Sequence, residues 1–232
     1  MRIAVLSDIH ANLPALNACL EKLEELPFDR IISLGDQVGY GPYPNEVIDL
    51  LRTRRIPTVL GNHDAGAVGQ ISLRMFREPN HKLMSWTKKN LSQENRDYLQ
   101  NAPLTLTEGN WIAAHASPVD PDRWAYLNSA PRCRAVLSEI DQDFCLVGHT
   151  HVPGIVASVL GELQIKEGCR YVINPGSIGQ PRDGTSLASF GILDTEAPDW
   201  EFYQVPWSRE KMLKGYEKIG MTLKEASHLL MM

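Results

Sequence analysis

Five short apolar runs in this chain end in the same few residue types, and that recurrence constrains the fold more than any other feature. Arg2–Ser7 leads into Asp8-Ile9-His10, and Arg30–Gly35 ends at Asp36. Pro57–Leu60 leads into Gly61-Asn62-His63-Asp64, Trp111–Ala114 into His115, and Phe144–Val147 into Gly148-His149-Thr150-His151. Apolar runs of this length read as short buried strands. Gly35 permits a sharp turn as the chain leaves its strand. Open α/β sheets keep their ligands at the C-terminal ends of the strands. Five strands that deliver Asp, His or Asn at the same end therefore predict one shared site, with Asp36 at its centre.

The histidines sharpen this reading. Of seven, five lie in these stretches: His10, His63, His115, His149 and His151. A single strand-end histidine is ordinarily structural, but five of them beside Asp8, Asp36 and Asn62 form a ligand set. Asp8 and His10 are two residues apart, as are His149 and His151. In extended chain such pairs point to one side, so each could present two ligands together. Mixed imidazole, carboxylate and amide donors suit Mn, Fe, Co, Ni or Zn better than Mg or Ca. The expectation is two divalent transition-metal ions sharing Asp36.

Along the rest of the chain, Asn12 is a natural helix cap and Pro14 fits a first helical turn, so residues 13–26 are predicted helical. Residues 37–43 form a Gly/Pro-rich loop near the site, residues 44–53 a helix, and Ile56–Leu60 a strand. Residues 66–101 mix charges with Met75, Phe76, Leu83, Met84, Trp86 and Leu91, which predicts an inserted helical segment flanking the cluster. Leu104–Thr107 and Trp111–His115 read as a hairpin, followed by polar residues 119–130 with embedded aromatics and a helix over 132–140. Strands are predicted at Gly154–Leu160, Leu163–Lys166, Tyr171–Ile173, Ala188–Leu193 and Trp200–Val205, then helices at 208–219 and 223–231. No repeat or linker interrupts the pattern, which predicts one domain over 1–232.

In order and interval, Asp8-x-His10, Gly35-Asp36, Gly61-Asn62-His63-Asp64, His115 and Gly148-His149-x-His151 resemble the calcineurin-like metallophosphoesterases, over about residues 1–195. The resemblance implies an α/β fold, a two-sheet αββα sandwich with a dinuclear metal centre. It implies that Asp8, His10 and His151 hold one metal with the bridging Asp36, and that Asn62, His115 and His149 hold the second. His63 is implied as the catalytic residue facing the substrate. Two such ions share a hydroxide that attacks phosphorus in line, while His63 protonates or stabilises the leaving oxygen.

Departures from the family pattern narrow the expectation. Relatives that dephosphorylate proteins carry Asp-Arg-Gly after the bridging aspartate, whereas these positions read Val38-Gly39-Tyr40-Gly41. The carboxylate that orients their histidine has no counterpart at Gly39. Asp64, which stands where they have Glu, becomes the candidate for orienting His63. Asn174–Gly184 resembles the small bacterial and archaeal phosphodiesterase-like branch. It is either a plain Gly/Pro turn or a rim loop whose Arg182 meets a phosphate, since guanidinium matches phosphate oxygens. Arg123 and Trp124 are further rim candidates, and His81 is expected at the surface.

Composition sets limits. The net charge of −5 argues against general nucleic-acid binding. No run of 18 apolar residues predicts a membrane span. Met1–Ser7 is too short for a signal peptide and runs directly into Asp8, so a cytoplasmic protein is expected. The four cysteines make no C-x-x-C pair, and disulfides are not expected. The reading is a metal-dependent phosphohydrolase, a phosphodiesterase acting on a small nucleotide-like phosphorylated substrate. The alternatives are a catalytically silent binding scaffold of the same fold, and a phosphomonoesterase or protein phosphatase.

Overall fold

The computed structural model describes residues 1–162, 165, 166 and 168–231. Two mixed sheets pack face to face with helices outside. The first has the order β2-β1-β8-β9, from Arg30–Ser33 (β2), Arg2–Leu6 (β1), Ala188–Asp194 (β8) and Asp199–Val205 (β9). The second has the order β3-β4-β5-β7-β6, from Thr105–Glu108 (β3), Trp111–Ala114 (β4), Phe144–Leu146 (β5), Tyr171–Asn174 (β7) and Gly154–Ala157 (β6). In the first sheet β1 runs parallel to β2, and in the second β4, β5 and β7 run parallel.

Strand alternation builds the layers. Ile3, Val5 and Ile32 turn inward to meet Trp111, Phe144, Leu146, Tyr171 and Ile173 in the core between the sheets. Ala4, Leu6, Phe190 and Ile192 turn outward onto α1 (Leu13–Leu23) and α2 (Pro44–Thr53). Cys145, Val147 and Val172 face α6 (Ala130–Glu139) through Cys133, Val136 and Leu137. Central strands buried on both faces explain why they read as continuous apolar runs.

Asn12 caps α1 as expected, its Oδ1 accepting from Ala15 N at 3.1 Å. The segment expected to be helical holds α3 (Asn62–Val68), a 3-10 turn at Leu73–Met75, α4 (Asn80–Asn90) and α5 (Gln93–Gln100). These pack on α2 and on the loop after β2 through Val38, Ile48, Ala67, Met84 and Leu99. Helices α7 (Arg209–Lys218) and α8 (Leu223–Met231) close the chain, with Met212, Tyr216 and Leu229 against Leu83 of α4.

Three strand expectations need correction. Ile56–Leu60 makes only an isolated parallel bridge, Ser33 to Thr58, because Pro57 has no N–H to give a ladder. The strand expected to reach Leu160 stops at Ala157, and Leu160 is 80 % exposed. The expected strand at Leu163–Lys166 falls in part on Leu163 and Gln164, which lie outside the described residues; Ile165 and Lys166 carry no strand. Cys19, Cys133, Cys145 and Cys169 are free. Among the described residues no helix is long and apolar enough to cross a membrane.

Candidate metal centre

Loops leaving β1, β2, β4, β5 and β7 converge between the two sheets. Asp8 N, His10 N and Ala11 N donate to Gly35 O, Asp36 O and Gln37 O at 3.1, 2.9 and 2.8 Å, which zips the first two loops together. Gly148 N donates to His115 O at 2.8 Å, joining the next two. The loop after β7 is tied across by Ile178 N to Ser7 O and Gly179 N to Asp8 O, at 3.0 and 2.9 Å. Asp8, His10, Asp36, His149 and His151 all adopt left-handed backbone, with φ of 51°, 50°, 53°, 66° and 60°. The paired ligands are therefore not on extended chain, as their spacing suggested; tight turns aim them instead. Gly35 makes the expected turn at φ +93°.

The donor atoms fall into two groups that share one residue. Asp8, His10, Asp36 and His151 form the first, and Asp36, His115 and His149 the second, each with its ligand atoms within 4.8 Å of one another. In the first group His151 Nε2 lies 3.2 Å from Asp8 Oδ1 and 3.1 Å from His10 Nε2. In the second, His115 Nε2 lies 3.2 Å from Asp36 Oδ2, 3.1 Å from His149 Nδ1 and 3.2 Å from Asn62 Oδ1. Asn62 thus joins the second group.

Backbone carbonyls fix how the rings face. His10, His115 and His151 direct Nδ1 at Val38 O, Leu34 O and Gln180 O, at 3.1, 2.8 and 2.7 Å. Nδ1–H donating to a carbonyl leaves the Nε2 lone pair aimed at the cluster, the arrangement of a metal-ligating histidine. Asp8 Oδ2 accepts from His149 N and Ser7 Oγ at 3.0 and 2.6 Å, while Asp36 Oδ1 accepts from His63 N at 2.8 Å. The other oxygens, Asp8 Oδ1 and Asp36 Oδ2, are buried without a hydrogen-bond partner among the described residues. Orphaned carboxylate oxygens among inward lone pairs need a cation, so the residues fit a metal.

Electrostatics agree. Burial opposes ionisation of Asp8 and Asp36, but the surrounding histidines outweigh it and hold both carboxyls below their ordinary range. Burial, then the charge of His115, takes His149 down to about 3, and burial leads the depression of His10. Burial works against His115 too, yet Asp36 lifts it to about 9.

His63 lies outside both groups, with Nε2 4.0 Å from Asp36 Oδ2. Its ring is held by aromatic neighbours, with centroids at 4.8 Å from Tyr40, 4.7 Å from Phe76 and 4.7 Å from His10. Burial above all takes it down to about 4. Asp64 does not orient it. Asp64 Oδ1 accepts from Val38 N at 3.1 Å and Oδ2 from Gly61 N at 3.0 Å, and His63 Nδ1 is buried without a hydrogen-bond partner among the described residues. Gly39 sits directly over that nitrogen; a Cβ there would lie 2.2 Å from His63 Nδ1.

The loop after β7 does reach the rim. Arg182 N donates to His151 O at 3.1 Å, and Arg182 Nη2 lies 3.3 Å from Tyr40 Oη and 3.2 Å from Gln180 Oε1. Arg123 and Trp124 line a cavity of about 400 Å³ that also touches Asn62, His63 and His149. His81 pairs with Glu78 at 3.2 Å on the surface. The sequence reading missed the aromatic shell: Tyr40 and Phe76 on His63, and Tyr126 stacked on His149 at 4.0 Å. Its signals were the aromatics in the loops at 37–43 and 119–130 and Phe76 in the segment 66–101.

Comparison with known proteins places this architecture. The chain is 39 % identical over 233 residues to an uncharacterized protein of Methanocaldococcus jannaschii, covering 94 % of this chain and 91 % of that one. It is 26 % identical over 203 residues to the phosphodiesterase YfcE of Escherichia coli, covering 84 % and 89 %. The crystal structure of a metallophosphoesterase from Sphaerobacter thermophilus superposes with a TM-score of 0.84 at 34 % identity, covering 99 % of this chain and 98 % of that one. A hypothetical protein from Pyrococcus horikoshii shares the fold with a TM-score of 0.82 at 23 % identity, covering 98 % and 97 %. Residues 1–198 match the calcineurin-like phosphoesterase superfamily domain, so the chain belongs to that superfamily and is a metallophosphoesterase.

Proposed function

We propose that the protein hydrolyses phosphodiesters of a small phosphorylated substrate at a dinuclear centre. Asp8, His10 and His151 hold one divalent transition-metal ion and Asn62, His115 and His149 the other, with Asp36 bridging. The observation that carries this reading is Asp36 itself. It belongs to both ligand groups, and its Oδ2 is buried among imidazole nitrogens, with His115 Nε2 at 3.2 Å, and takes no hydrogen bond of good geometry among the described residues. A metal pair supplies Lewis acidity for phosphate oxygens and brings the pKa of water to about 7.

The chain's own residues do the rest. Carbonyls of Val38, Leu34 and Gln180 face Nδ1 of three imidazoles and so keep Nε2 turned inward. Burial of the ligand side chains excludes bulk water, which strengthens every charge interaction inside. His63, beside the metal groups yet in neither, is kept neutral by burial and donates an N–H hydrogen bond toward the leaving oxygen, which stabilises it. Arg182, held near Tyr40, takes a non-bridging phosphate oxygen. Similarity to a named phosphodiesterase supports the diester preference. Gly39 against His63 speaks against the carboxylate-assisted protein phosphatases.

The test is reconstitution of the chelated protein with Mn or Zn, metal analysis, and a panel of mono-, di- and dinucleotide phosphates. Two metals per chain and turnover of diesters over monoesters are expected. A stoichiometry that never exceeds one, or turnover confined to monoesters, overturns the proposal.

A further inference from the structure

The cavity beside His63 has a composition that phosphate chemistry alone does not require. Four of its lining residues are aromatic: Tyr40, Phe76, Trp124 and Tyr126. They come from three separate segments, the loop after β2, the stretch before α4 and the loop after β4. Met75 stands on its lining as well, yet is 67 % exposed, and Tyr126 is also exposed. Large apolar side chains left in water at the mouth of an aromatic cavity mark a binding surface. The volume of about 400 Å³ lies within the range of about 300–1,000 Å³ typical of small-molecule sites.

Polar features narrow the occupant. Arg77 and Arg123 contribute two guanidinium groups to the lining, and guanidinium stacks on flat π-systems and binds phosphate. Trp124 Nε1 and Asn80 Oδ1, both of lining residues, are buried with no hydrogen-bond partner among the described residues. One is a donor and the other an acceptor. Asn80 is buried and Trp124 is carried in left-handed backbone at φ +54°, in a turn that also strains Asp120 at φ +49°. Strained backbone of this kind is found at ligand clamps. A plain hydrocarbon ring uses the aromatic walls but neither guanidinium group. A heteroaromatic base on a phosphorylated sugar, flat and carrying polar edges, uses both.

We propose that this cavity is a nucleobase subsite, so that the ester cleaved beside His63 belongs to a nucleotide whose base is held among Phe76, Trp124 and Tyr126. The assignment rests on the phosphoesterase reading above and names its substrate class. Asn62, His63 and His149 line the same cavity, which makes it continuous with the metal groups.

The experiment measures binding by calorimetry to Mn-loaded protein. Three non-hydrolysable probes are compared: the phosphonate analogues of AMP and of ribose 5-phosphate, and phenylphosphonate. Stacking of one base on aromatic side chains is worth about 5–150-fold in affinity. The adenosine probe is expected to bind at least about 10-fold tighter than the ribose probe. Trp124→Leu should bring that ratio within about 3-fold while leaving the ribose probe's affinity unchanged. Met75→Ala, at an exposed position where folding is not at stake, should lower the ratio by about 2–10-fold through loss of a sulfur–aromatic contact. A native ratio near one, a ratio unmoved by both substitutions, or phenylphosphonate binding as tightly as the adenosine probe overturns the nucleobase assignment. Hydrolysis of bis(4-nitrophenyl) phosphate by the same sample reports separately on the proposed function. Hydrolysis without base preference removes only the subsite, and base preference without diester hydrolysis supports the subsite while overturning the proposed reaction.

Discussion

Metal loading should appear as folding stability, and Asp36 lets its size be apportioned. Asp36 Oδ2 and Asp8 Oδ1 are buried without a hydrogen bond of good geometry among the described residues and face only imidazole nitrogens, so a cation between these groups would stabilise the folded chain. At free metal near 100 times Kd, each filled site adds about 2.7 kcal/mol to the folded state. A chain of this size moves by about 2–4 °C in Tm per kcal/mol. One site is therefore worth about 5–10 °C and two about 10–20 °C. Asp36→Asn keeps an Oδ1 that can still accept from His63 N, so the fold is retained while the shared ligand is weakened. Asp8→Asn likewise keeps an acceptor for His149 N and Ser7 Oγ. The assay is thermal unfolding of chelated protein titrated with Mn. The native chain should show the two-site rise, Asp8→Asn roughly the one-site rise, and Asp36→Asn little of either. A native Tm that does not respond to metal, or an Asp36→Asn variant that keeps the full rise, would refute the shared-carboxylate reasoning.

Other outcomes follow from single contacts. His63→Ala should keep the metal content and lower kcat by about 10²–10⁴-fold on esters with poor leaving groups, with a smaller loss on a nitrophenyl diester; metal analysis and kcat on both esters check this. Gly39→Ala should lower kcat by about 10²-fold with metal retained, because its Cβ would sit 2.2 Å from His63 Nδ1 at a backbone φ of +94°. Gly109→Ala is the control, with nothing within 4 Å of the added carbon. Leu146→Ala, which empties part of the core between the sheets, should cost about 2–5 kcal/mol in urea unfolding.

The clustering of these Asp and His side chains was legible because few residue types bind metals and because strands deliver them at one end. Each of these residues follows an apolar run within four residues, so local reading sufficed. The rest of the aromatic shell was not legible for the opposite reason. Trp124 was named as a rim residue, but Tyr40, Phe76 and Tyr126 sit on loops and short turns with no shared period, and only the tertiary fold brings them to His63 and His149. Asp64 failed as the partner of His63 because adjacency in sequence is not adjacency in a helix. Both lie in α3, where successive side chains diverge by about 100°. Asp64 is turned to Gly61 N and Val38 N, closing the helix start against the loop after β2. The strand at Ile56–Leu60 failed because its hydrophobicity was weighed and the missing N–H of Pro57 was not.

Left-handed backbone at five ligand positions joins the two kinds of information. An ordinary side chain in that region costs about 1–2 kcal/mol, but Asp, Asn and His enter it several-fold more often than other non-glycine residues. Asp8, His10, Asp36, His149 and His151 are all of these types. The residues that can ligate a metal are thus also the residues that tolerate the turns needed to aim them. Neither property alone selects Asp and His so strongly at a strand end. Hydrogen bonds hold the turns where they are: Asp8 N to Gly35 O and His10 N to Asp36 O bind one strand-end loop to its neighbour. The strain is carried by the same backbone contacts that set the ligand distances. Relaxing one turn would therefore move a ligand on the adjacent loop as well. Two sheets contribute to the site, and the loop after β7 crosses between them through Ser177 Oγ donating to Asp8 O at 2.8 Å. Stability of the sandwich and geometry of the centre are, for this chain, set by one network of backbone bonds.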